Sequence, residues 1–272
     1  MTVAEALKKG SKEVGQRNTN LLLNHITGKN ILLYPNENID GKLFNELLNR
    51  CKTGEPLQYI IGNWDFMGFC FKTDKRALIP RPETELLVED AFEFLKARYG
   101  KPVKILDLCT GTGCIAISLA YLCLEAKIEA DITAADISPE ALELAKINDS
   151  LSKISFIQSD LFTNIHETKF DLIISNPPYI PTAEIFTLQP TVKDYEPHLA
   201  LDGGQDGMDI YRKIIPQSLN YLKDGGALYL ELGPADVAGI LDESNFKNIT
   251  IKNDYAGLPR VLYGVKHDRA MA

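Results

Sequence analysis

The sequence predicts an α/β fold in which a mostly parallel sheet, covered by helices on both faces, follows a small helical region and a β-hairpin. From Lys101 onward, apolar runs of buried-strand type alternate with segments of helical periodicity, as in sheets built from crossover units. Up to about Gly62, in contrast, apolar residues recur at helical intervals. A chain of 272 residues is long enough for one large α/β domain and a small accessory module.

The first 62 residues are predicted to form short amphipathic helices separated by Gly and Asn breaks. Thr2 and Glu5 have the spacing of a capping box. Asn18 and Asp40 each precede an apolar run at helical intervals, so both residues are expected near helix starts.

Aromatic residues then recur around two glycines, which indicates a two-stranded hairpin between two domains. These residues are Trp64, Phe66, Phe69 and Phe71. Pro80 and Pro82 mark a loop. We therefore predict a helical domain with a hairpin hinge over residues 1–75 and a sheet domain over residues 76–272.

The sheet domain is predicted to repeat the order strand, loop, helix. The predicted elements are strand 103–108, helix 115–124, strand 131–136, a helix opened by 138–140, strands 154–158 and 170–175, helix 207–222, strand 227–232, helix 235–241, and two strands near 249 and 261.

Composition and charge limit the classes of function. A net charge of −8 disfavours a protein that holds long stretches of duplex DNA, because binding phosphates requires clustered Lys and Arg. No apolar run approaches the roughly 18 residues of a membrane span, and no secretory signal pattern opens the sequence. Five cysteines without CxxC spacing argue against a disulfide framework and a zinc site. We therefore expect a cytoplasmic protein with no membrane partner and no metal.

A glycine-containing turn follows the first strand of the predicted sheet. The sequence DLCTGTG at 107–113 permits a tight turn and close approach of the backbone to a ligand. It lacks the continuation of a phosphate-binding loop, so nucleotide phosphates are not clearly indicated. An ordinary βα turn is the alternative that this motif alone leaves open.

Acidic residues follow the second and third strands. Asp136 stands where ribose hydroxyls are bound in doubly wound folds, although it could instead cap the next helix, a role that Ser138 fills better. Asp160 and Leu161 follow the third strand and would lie beside an adenine, with Asp160 as the acceptor for its amino group.

The fourth strand ends directly in NPPY at 176–179. The two prolines stiffen the loop and leave the Pro177 carbonyl free to accept a hydrogen bond. The side-chain oxygen of Asn176 is a second acceptor, and Tyr179 supplies an aromatic face. A planar amino group has two hydrogens to donate, so this set predicts a clamp for an amide or exocyclic amino nitrogen. A rigid strand end with a buried tyrosine is the structural alternative.

Taken together, these motifs make the chain resemble the release factor glutamine methyltransferases, the PrmC or HemK family. The similarity runs nearly end to end. It rests on EPLQYIIG at 55–62, LIPRPETE at 78–85, DLCTGTG at 107–113, NPPY at 176–179, YEP at 195–197, and LDGG with DG at 201–207.

The resemblance implies a Rossmann-like class I methyltransferase sheet with S-adenosyl-L-methionine as cofactor. It implies that the helical domain grips a class 1 peptide chain release factor and that the glutamine of a Gly-Gly-Gln loop is methylated at N5, with no direct nucleic-acid partner. The residues then expected to bind the cofactor are Cys109, Thr110, Gly111, Thr112, Gly113, Asp136, Asp160, Leu161 and Asn176. Those expected to bind the substrate are Arg81, Asn176, Pro177, Pro178, Tyr179 and Glu196, with Asn176, Pro177 and Tyr179 as the catalytic set.

Three positions call for separate expectations. Cys109 stands where the family often has glycine, and Leu161 where an aromatic residue commonly packs on the adenine. Neither departure removes a chemical group, but Leu161 replaces stacking by aliphatic packing, so weaker cofactor binding is expected from that position. Gln205 completes a Gly-Gly-Gln tripeptide within the chain itself, which we interpret as a turn rather than as a self-methylation site.

One alternative function comes from the same motif. An NPPY loop also fits the exocyclic nitrogen of adenine N6 or guanine N2 in a flipped base, so a nucleic-acid methyltransferase is the rival interpretation. The acidity of the chain disfavours it, as do the Arg81 loop and the stretch from Glu196 to Gly207, which the resemblance marks as specific to release factor enzymes. A non-catalytic cofactor-binding protein would be expected to lose the acceptors of the loop, and this chain keeps them.

Overall fold

The computed structural model describes residues 1–97, 100–151, 153–166, 168–233, 237–242 and 245–267. The predicted helical domain is present and has its own apolar core, in which Val3, Leu22 and Phe44 are fully buried. Its helices are α1 Val3–Val14, α2 Gln16–Thr27, α3 Gly41–Lys52 and α4 Leu57–Ile61, with a 3-10 turn at Ile31–Leu33.

Two of the three predicted helix starts are capped by a side chain. The Thr2 hydroxyl accepts from the backbone N–H of Glu5, and the Glu5 carboxylate accepts in return from the N–H of Thr2, which completes the capping box. Asp40 caps α3. Asn18 lies in the first turn of α2 but does not cap it, because the helix begins at Gln16 after Gly15, whose φ is 85°.

The predicted hairpin consists of β1 Asn63–Phe66 and β2 Phe69–Lys72, paired antiparallel. Phe66 and Phe71 pack edge to face at 6.0 Å and join the core of the large domain. The hairpin is therefore anchored by its own aromatic side chains in the domain that follows it.

Within the described residues the main sheet has seven strands in the order β5-β4-β3-β6-β7-β9-β8. β3 to β7 run parallel, whereas β9 is antiparallel to both neighbours. The predicted parallel sheet thus carries an antiparallel pair at one edge. The strands are β3 Val103–Leu108, β4 Ala130–Asp136, β5 Ile154–Gln158, β6 Phe170–Ser175, β7 Leu222–Glu231, β8 Phe246–Asn253 and β9 Pro259–Lys266.

Helices cover both faces of this sheet and leave one apolar core on each side. No described helix is long and apolar enough to cross a bilayer. The helices are α5 Pro82–Lys96, α6 Cys114–Glu125, α7 Pro139–Asn148, α8 Thr182–Ile185, α9 Pro190–Lys193, α10 Asp209–Tyr221 and α11 Ala238–Asp242, with a 3-10 turn at His198–Ala200.

The structure adds one long helix in a segment for which the sequence predicted only a loop at Pro80 and Pro82. α5 begins at Pro82, because proline is favoured in the first turn of a helix, where its missing N–H costs nothing. The predicted helix 235–241 is described only from residue 237 onward, since residues 234–236 lie outside the described ranges. The predicted sheet domain likewise extends beyond residue 267, the last described position.

Candidate active site

A cleft opens where the carboxyl ends of β3, β4, β5 and β6 meet, as expected for a doubly wound sheet. It encloses about 1140 Å³ including its open mouth, enough for a nucleoside-sized ligand. Residues from the LIPRPETE, DLCTGTG and NPPY motifs and from the ends of β4 and β5 line it. These are Arg81, Cys109, Thr110, Gly111, Thr112, Asp136, Asp160, Leu161, Asn176 and Pro178. Four predicted site residues lie off this lining, namely Gly113, Pro177, Tyr179 and Glu196.

Asp136 fastens the glycine turn to the end of β4. Its Oδ2 accepts from the N–H of Gly111 at 2.8 Å, and its Oδ1 accepts from the N–H of Ser138 at 2.9 Å. The cap of α7 is the Ser138 hydroxyl, so Asp136 is free of that role. Burial raises the pKa of the Asp136 carboxyl. Each carboxylate oxygen accepts one bond here and retains capacity for a further donor.

The two glycines of the turn have different functions. Gly111 has a φ of 55°, lines the cleft, and leaves ordinary space around an added Cβ, which would meet Ala77 at 3.8 Å. Gly113 has a φ of 80°, and a Cβ there would lie 2.9 Å from Ile117 and 3.1 Å from Ala145. Gly113 therefore permits α6 and α7 to pack closely rather than contacting a ligand.

A buried carboxylate lies under the same turn. The Oδ2 of Asp107 accepts from the Thr110 hydroxyl at 2.5 Å and from the N–H of Ala116 at 3.2 Å. Its Oδ1 is fully buried and has no hydrogen-bond partner among the described residues. Burial raises the pKa of Asp107 to about 7. Asp107 lies beneath the turn and off the cleft lining, so Asp136 is the acid that this turn and β4 present to a ligand.

The cations on the cleft lining are already paired. Arg76 is bound to Asp74, and Arg81 donates to the Glu196 carboxylate at 2.5 Å. Glu196 has only 1% of its side chain exposed and also accepts from the N–H of Ile79 at 3.3 Å. Glu196 therefore holds the Arg81 loop in place and does not itself reach the cleft.

The amide of Asn176 is anchored on one side. Its Nδ2 donates to the Thr84 hydroxyl at 3.2 Å, and that hydroxyl donates to Oε2 of Glu231 at 2.5 Å. Thr84 and Glu231 are both buried, and burial raises the pKa of Glu231 to about 7. The side-chain oxygen of Asn176 remains available on the other side.

Tyr179 is held between glycines behind the cleft. A Cβ on Gly233 would lie 2.5 Å from the Tyr179 ring, and one on Gly203 or Gly207 would lie 2.7 Å or 2.4 Å from its backbone. The Tyr179 hydroxyl lies 3.5 Å from Oε1 of Glu231. Burial raises the pKa of Tyr179 to about 12. Close approach of this backbone explains the glycines at 203 and 207.

Gln205 is exposed at the turn between those glycines and is not on the cleft lining. The interpretation of this tripeptide as a turn agrees with its position. Cys109 and Leu161 both have left-handed backbones, with φ of 58° and 49°, which is the conformation that favours glycine.

Sequence reasoning missed Thr84 and Glu231 as members of the site. Thr84 lies in the LIPRPETE motif, from which only Arg81 was selected. Glu231 is a charged residue that directly follows the apolar run Ala227–Leu230, and an acid at the end of a predicted strand was the available signal.

Comparison with solved structures supports the fold. A methyltransferase from Pyrococcus furiosus aligns with a TM-score of 0.51 and 18% identity over 75% of this chain and 91% of that chain. A putative class I S-adenosylmethionine-dependent methyltransferase from Listeria monocytogenes aligns with a TM-score of 0.50 and 15% identity over 99% of this chain and 87% of that one. The Methyltransferase small domain model matches residues 83–203. Strand order, cleft and family model define a class I S-adenosylmethionine-dependent methyltransferase.

The particular family follows from the sequence relatives. The PrmC N-terminal domain model matches residues 2–62. A release factor glutamine methyltransferase of Clostridium acetobutylicum is 35% identical over 96% of this chain and 94% of its own length. One from Lactococcus lactis is 40% identical over 88% of each chain. This chain belongs to the release factor glutamine methyltransferase family.

Proposed function

We propose that this chain methylates N5 of the glutamine in the Gly-Gly-Gln loop of class 1 peptide chain release factors. The supporting observation is the position of Asn176, whose amide lies on the cleft lining at the carboxyl end of β6 and is anchored through its nitrogen. Its carbonyl oxygen is thereby available as an acceptor for the N–H of a substrate amide. Membership of the release factor glutamine methyltransferase family supports the same methyl acceptor, a glutamine side chain.

The cofactor is S-adenosyl-L-methionine, and the cleft fits such a ligand. Asp136 would accept from the ribose hydroxyls, Asp160 from the adenine amino group, and the backbone of Gly111 would allow close approach. The carboxylates of Asp136 and Asp160 on the lining and the paired state of both lining arginines suit a cationic ligand without phosphates. When bound, the cofactor supplies an electrophilic methyl group.

An amide nitrogen is a weak nucleophile, because its lone pair is delocalised into the carbonyl. The site must therefore act by positioning and by electrostatic stabilisation. Acceptor bonds from Asn176 and from the Pro177 carbonyl would stabilise the positive charge that grows on the nitrogen. Tyr179, which lies behind the lining against Gly203, Gly207 and Gly233, would hold this loop in place. The excess proton leaves to water, so this mechanism calls on no strong base.

The remaining predicted substrate residues would act around this centre. Arg81 lines the cleft and is available to a partner through its 30% exposed side chain, while Glu196 fixes its position. Pro178 lines the cleft beside Asn176. Residues 1–75 would bind the body of the release factor, and residues 76–272 would perform the transfer.

The test is incubation with methyl-labelled S-adenosylmethionine and, in parallel, a release factor, its Gln→Ala loop variant, and DNA. Label on the wild-type factor alone is the expected result. Label on DNA alone would establish the rival nucleic-acid activity, which the relatives do not favour.

A further inference from the structure

A chain of two hydrogen bonds joins Asn176 to the end of β7. Asn176 Nδ2 donates to the Thr84 hydroxyl at 3.2 Å, and the Thr84 hydroxyl donates to Glu231 Oε2 at 2.5 Å. Thr84 is 2% exposed and Glu231 is 1% exposed, so water does not compete for these bonds. The three residues come from α5, the loop after β6, and β7, which only the folded sheet brings together.

The direction of each bond follows from the chemistry of the groups. Above its raised pKa of about 7 the Glu231 carboxyl is ionised and only accepts, and a hydroxyl has a single hydrogen to donate. Once that hydrogen is committed to Glu231, the Thr84 oxygen can only accept from Asn176. The amide of Asn176 must then turn its NH2 group to Thr84 and its carbonyl oxygen to the other side, because the reversed amide would place two acceptors against each other.

We propose that Thr84 and Glu231 are positioning residues that fix the amide of Asn176 with its carbonyl oxygen toward the acceptor nitrogen of the substrate. This inference rests on the proposed function. A reversed Asn176 would present its own NH2 group to the NH2 group of the substrate glutamine, so donor would face donor. The two buried residues thus select the reactive orientation of a side chain whose two orientations have nearly the same shape.

Other contacts of Glu231 keep its carboxylate in place without changing this direction. The Tyr211 hydroxyl donates to the backbone carbonyl of Glu231 at 2.8 Å, which fixes the strand end. The Tyr179 hydroxyl lies 3.5 Å from Oε1, the carboxylate oxygen that Thr84 does not use. Both contacts support the orientation of the carboxylate toward Thr84.

The experiment measures kcat and KM for the release factor, the dissociation constant of S-adenosylmethionine and the melting temperature in five proteins. They are the wild type, Thr84→Val, Thr84→Ser, Glu231→Gln and Ser218→Ala. Thr84→Val keeps the shape but removes the hydroxyl, and Thr84→Ser restores the hydroxyl. Glu231→Gln allows the hydrogen bonds to run in either direction. Ser218 is a buried hydroxyl on α10 bonded to the Ile215 carbonyl, so it controls for loss of a buried hydroxyl elsewhere.

We expect Thr84→Val to lower kcat roughly 10- to 100-fold, with KM and the cofactor dissociation constant within about threefold of wild type. Thr84→Ser should recover kcat to within about threefold, and Glu231→Gln should lower it by about 10-fold. Ser218→Ala should leave kcat unchanged. A purely structural role would instead lower the melting temperature of Thr84→Val without a selective loss of kcat.

The outcomes separate this inference from the proposed function. If the wild-type chain labels the release factor and Thr84→Val retains kcat within about twofold, the positioning role is overturned and the proposed function stands. If Thr84→Val and Thr84→Ser lose kcat equally, the role is also overturned, because the hydroxyl is then not the cause. A wild-type chain that never labels the release factor overturns both.

Discussion

At Asn176 a strand end, a rigid loop and a buried hydrogen-bond chain meet. Its amide is half-buried, and its nitrogen is already used in the contact with Thr84. A side-chain oxygen held in this way needs no rearrangement when the substrate arrives, which is the condition for electrostatic preorganisation.

Asn176→Ala should therefore abolish turnover while leaving cofactor binding measurable. Removing one preorganised group of this kind typically lowers kcat by about 100-fold or more. Methyl transfer to a release factor and calorimetric titration with S-adenosylmethionine measure the two effects. Asn220→Ala, an exposed asparagine at the end of α10, is the matched control. Near-normal turnover in Asn176→Ala would refute the assignment.

The buried acids of the site make stability depend on pH. Burial raises the pKa of Glu231 from 4.5 to about 7, so between these values the folded state keeps a proton that the unfolded state releases. The stability due to this group is fully present below pH 4.5 and is lost as the pH rises through about 7. Asp107 shifts in the same direction, also to about 7.

Glu231→Gln should consequently gain stability relative to wild type as the pH rises. We expect the difference in free energy of unfolding between variant and wild type to grow by about 1–3 kcal/mol in favour of the variant between pH 5 and pH 8. Urea unfolding at both pH values measures it. Glu93→Gln, whose wild-type carboxylate is 65% exposed, should show no such trend. A difference that is the same at both pH values would contradict the raised pKa.

At the scale of elements, the turn between β3 and α6 shows how two similar glycines differ. Both have left-handed backbones, which cost a residue with a Cβ about 1–2 kcal/mol. Only Gly113 would in addition place a Cβ within 3.1 Å of two neighbouring side chains.

Gly113→Ala should lower the free energy of unfolding by about 2–4 kcal/mol, because overpacking adds to the backbone strain. Gly111→Ala should cost only about 1–2 kcal/mol, since its Cβ would make ordinary contact. Chemical denaturation of both variants measures the comparison. Equal losses would mean that α6 and α7 can move apart at no cost.

The ion pair between the Arg81 loop and the segment after α9 is asymmetric in burial. Arg81 is 30% exposed, whereas Glu196 is 1% exposed. Removal of the arginine leaves a buried carboxylate without its main partner, whereas removal of the glutamate leaves a cation that can turn to water.

Arg81→Ala should thus lower the free energy of unfolding by about 2–4 kcal/mol, and Glu196→Ala should lower it by about 1–2 kcal/mol. Unfolding in urea near pH 7 measures both variants. Arg212→Ala is the control, because Arg212 also forms an ion pair, with Asp206, but both side chains are about half exposed. Its loss should stay under about 1 kcal/mol. The reverse order for Arg81 and Glu196 would contradict the argument from burial.

At the scale of the whole molecule, the helical domain and the sheet domain are joined by specific contacts as well as by the chain. The Tyr59 hydroxyl donates to the Ala77 carbonyl at 2.8 Å, and the Tyr195 hydroxyl donates to the Thr53 carbonyl at 3.0 Å. The hairpin between the domains is fixed by Phe66 and Phe71 in the large core.

Phe71→Ala should lower the free energy of unfolding by about 3–5 kcal/mol, because it empties a fully packed site in the core. Phe186→Ala is the matched control, since that ring is 68% exposed and its loss should change stability by less than about 0.5 kcal/mol. Thermal and urea unfolding measure both. A loss at Phe71 as small as that at Phe186 would show that the hairpin is not anchored there.

The sequence by itself determined most of the elements and the location of the cleft. Strands 103–108, 154–158 and 170–175 agree with the structure residue for residue, because apolar runs bounded by turn residues are a local signal. The same locality predicted the cap at Ser138 and the loop that begins at Asn176. The domain boundary at residue 75 and the individual roles of the site residues stay predictions.

Only the tertiary structure decided which side chains meet. The antiparallel edge pair, the burial of Glu196 and the separate functions of Gly111 and Gly113 all depend on neighbours distant in sequence. The contact of Asn176 with Thr84 and of Thr84 with Glu231 spans 92 and 147 positions along the chain, so no local pattern encodes it. Hydrophobic periodicity specifies where each strand lies, whereas the direction of this buried hydrogen-bond chain is specified only when α5, the loop after β6 and the end of β7 have packed together.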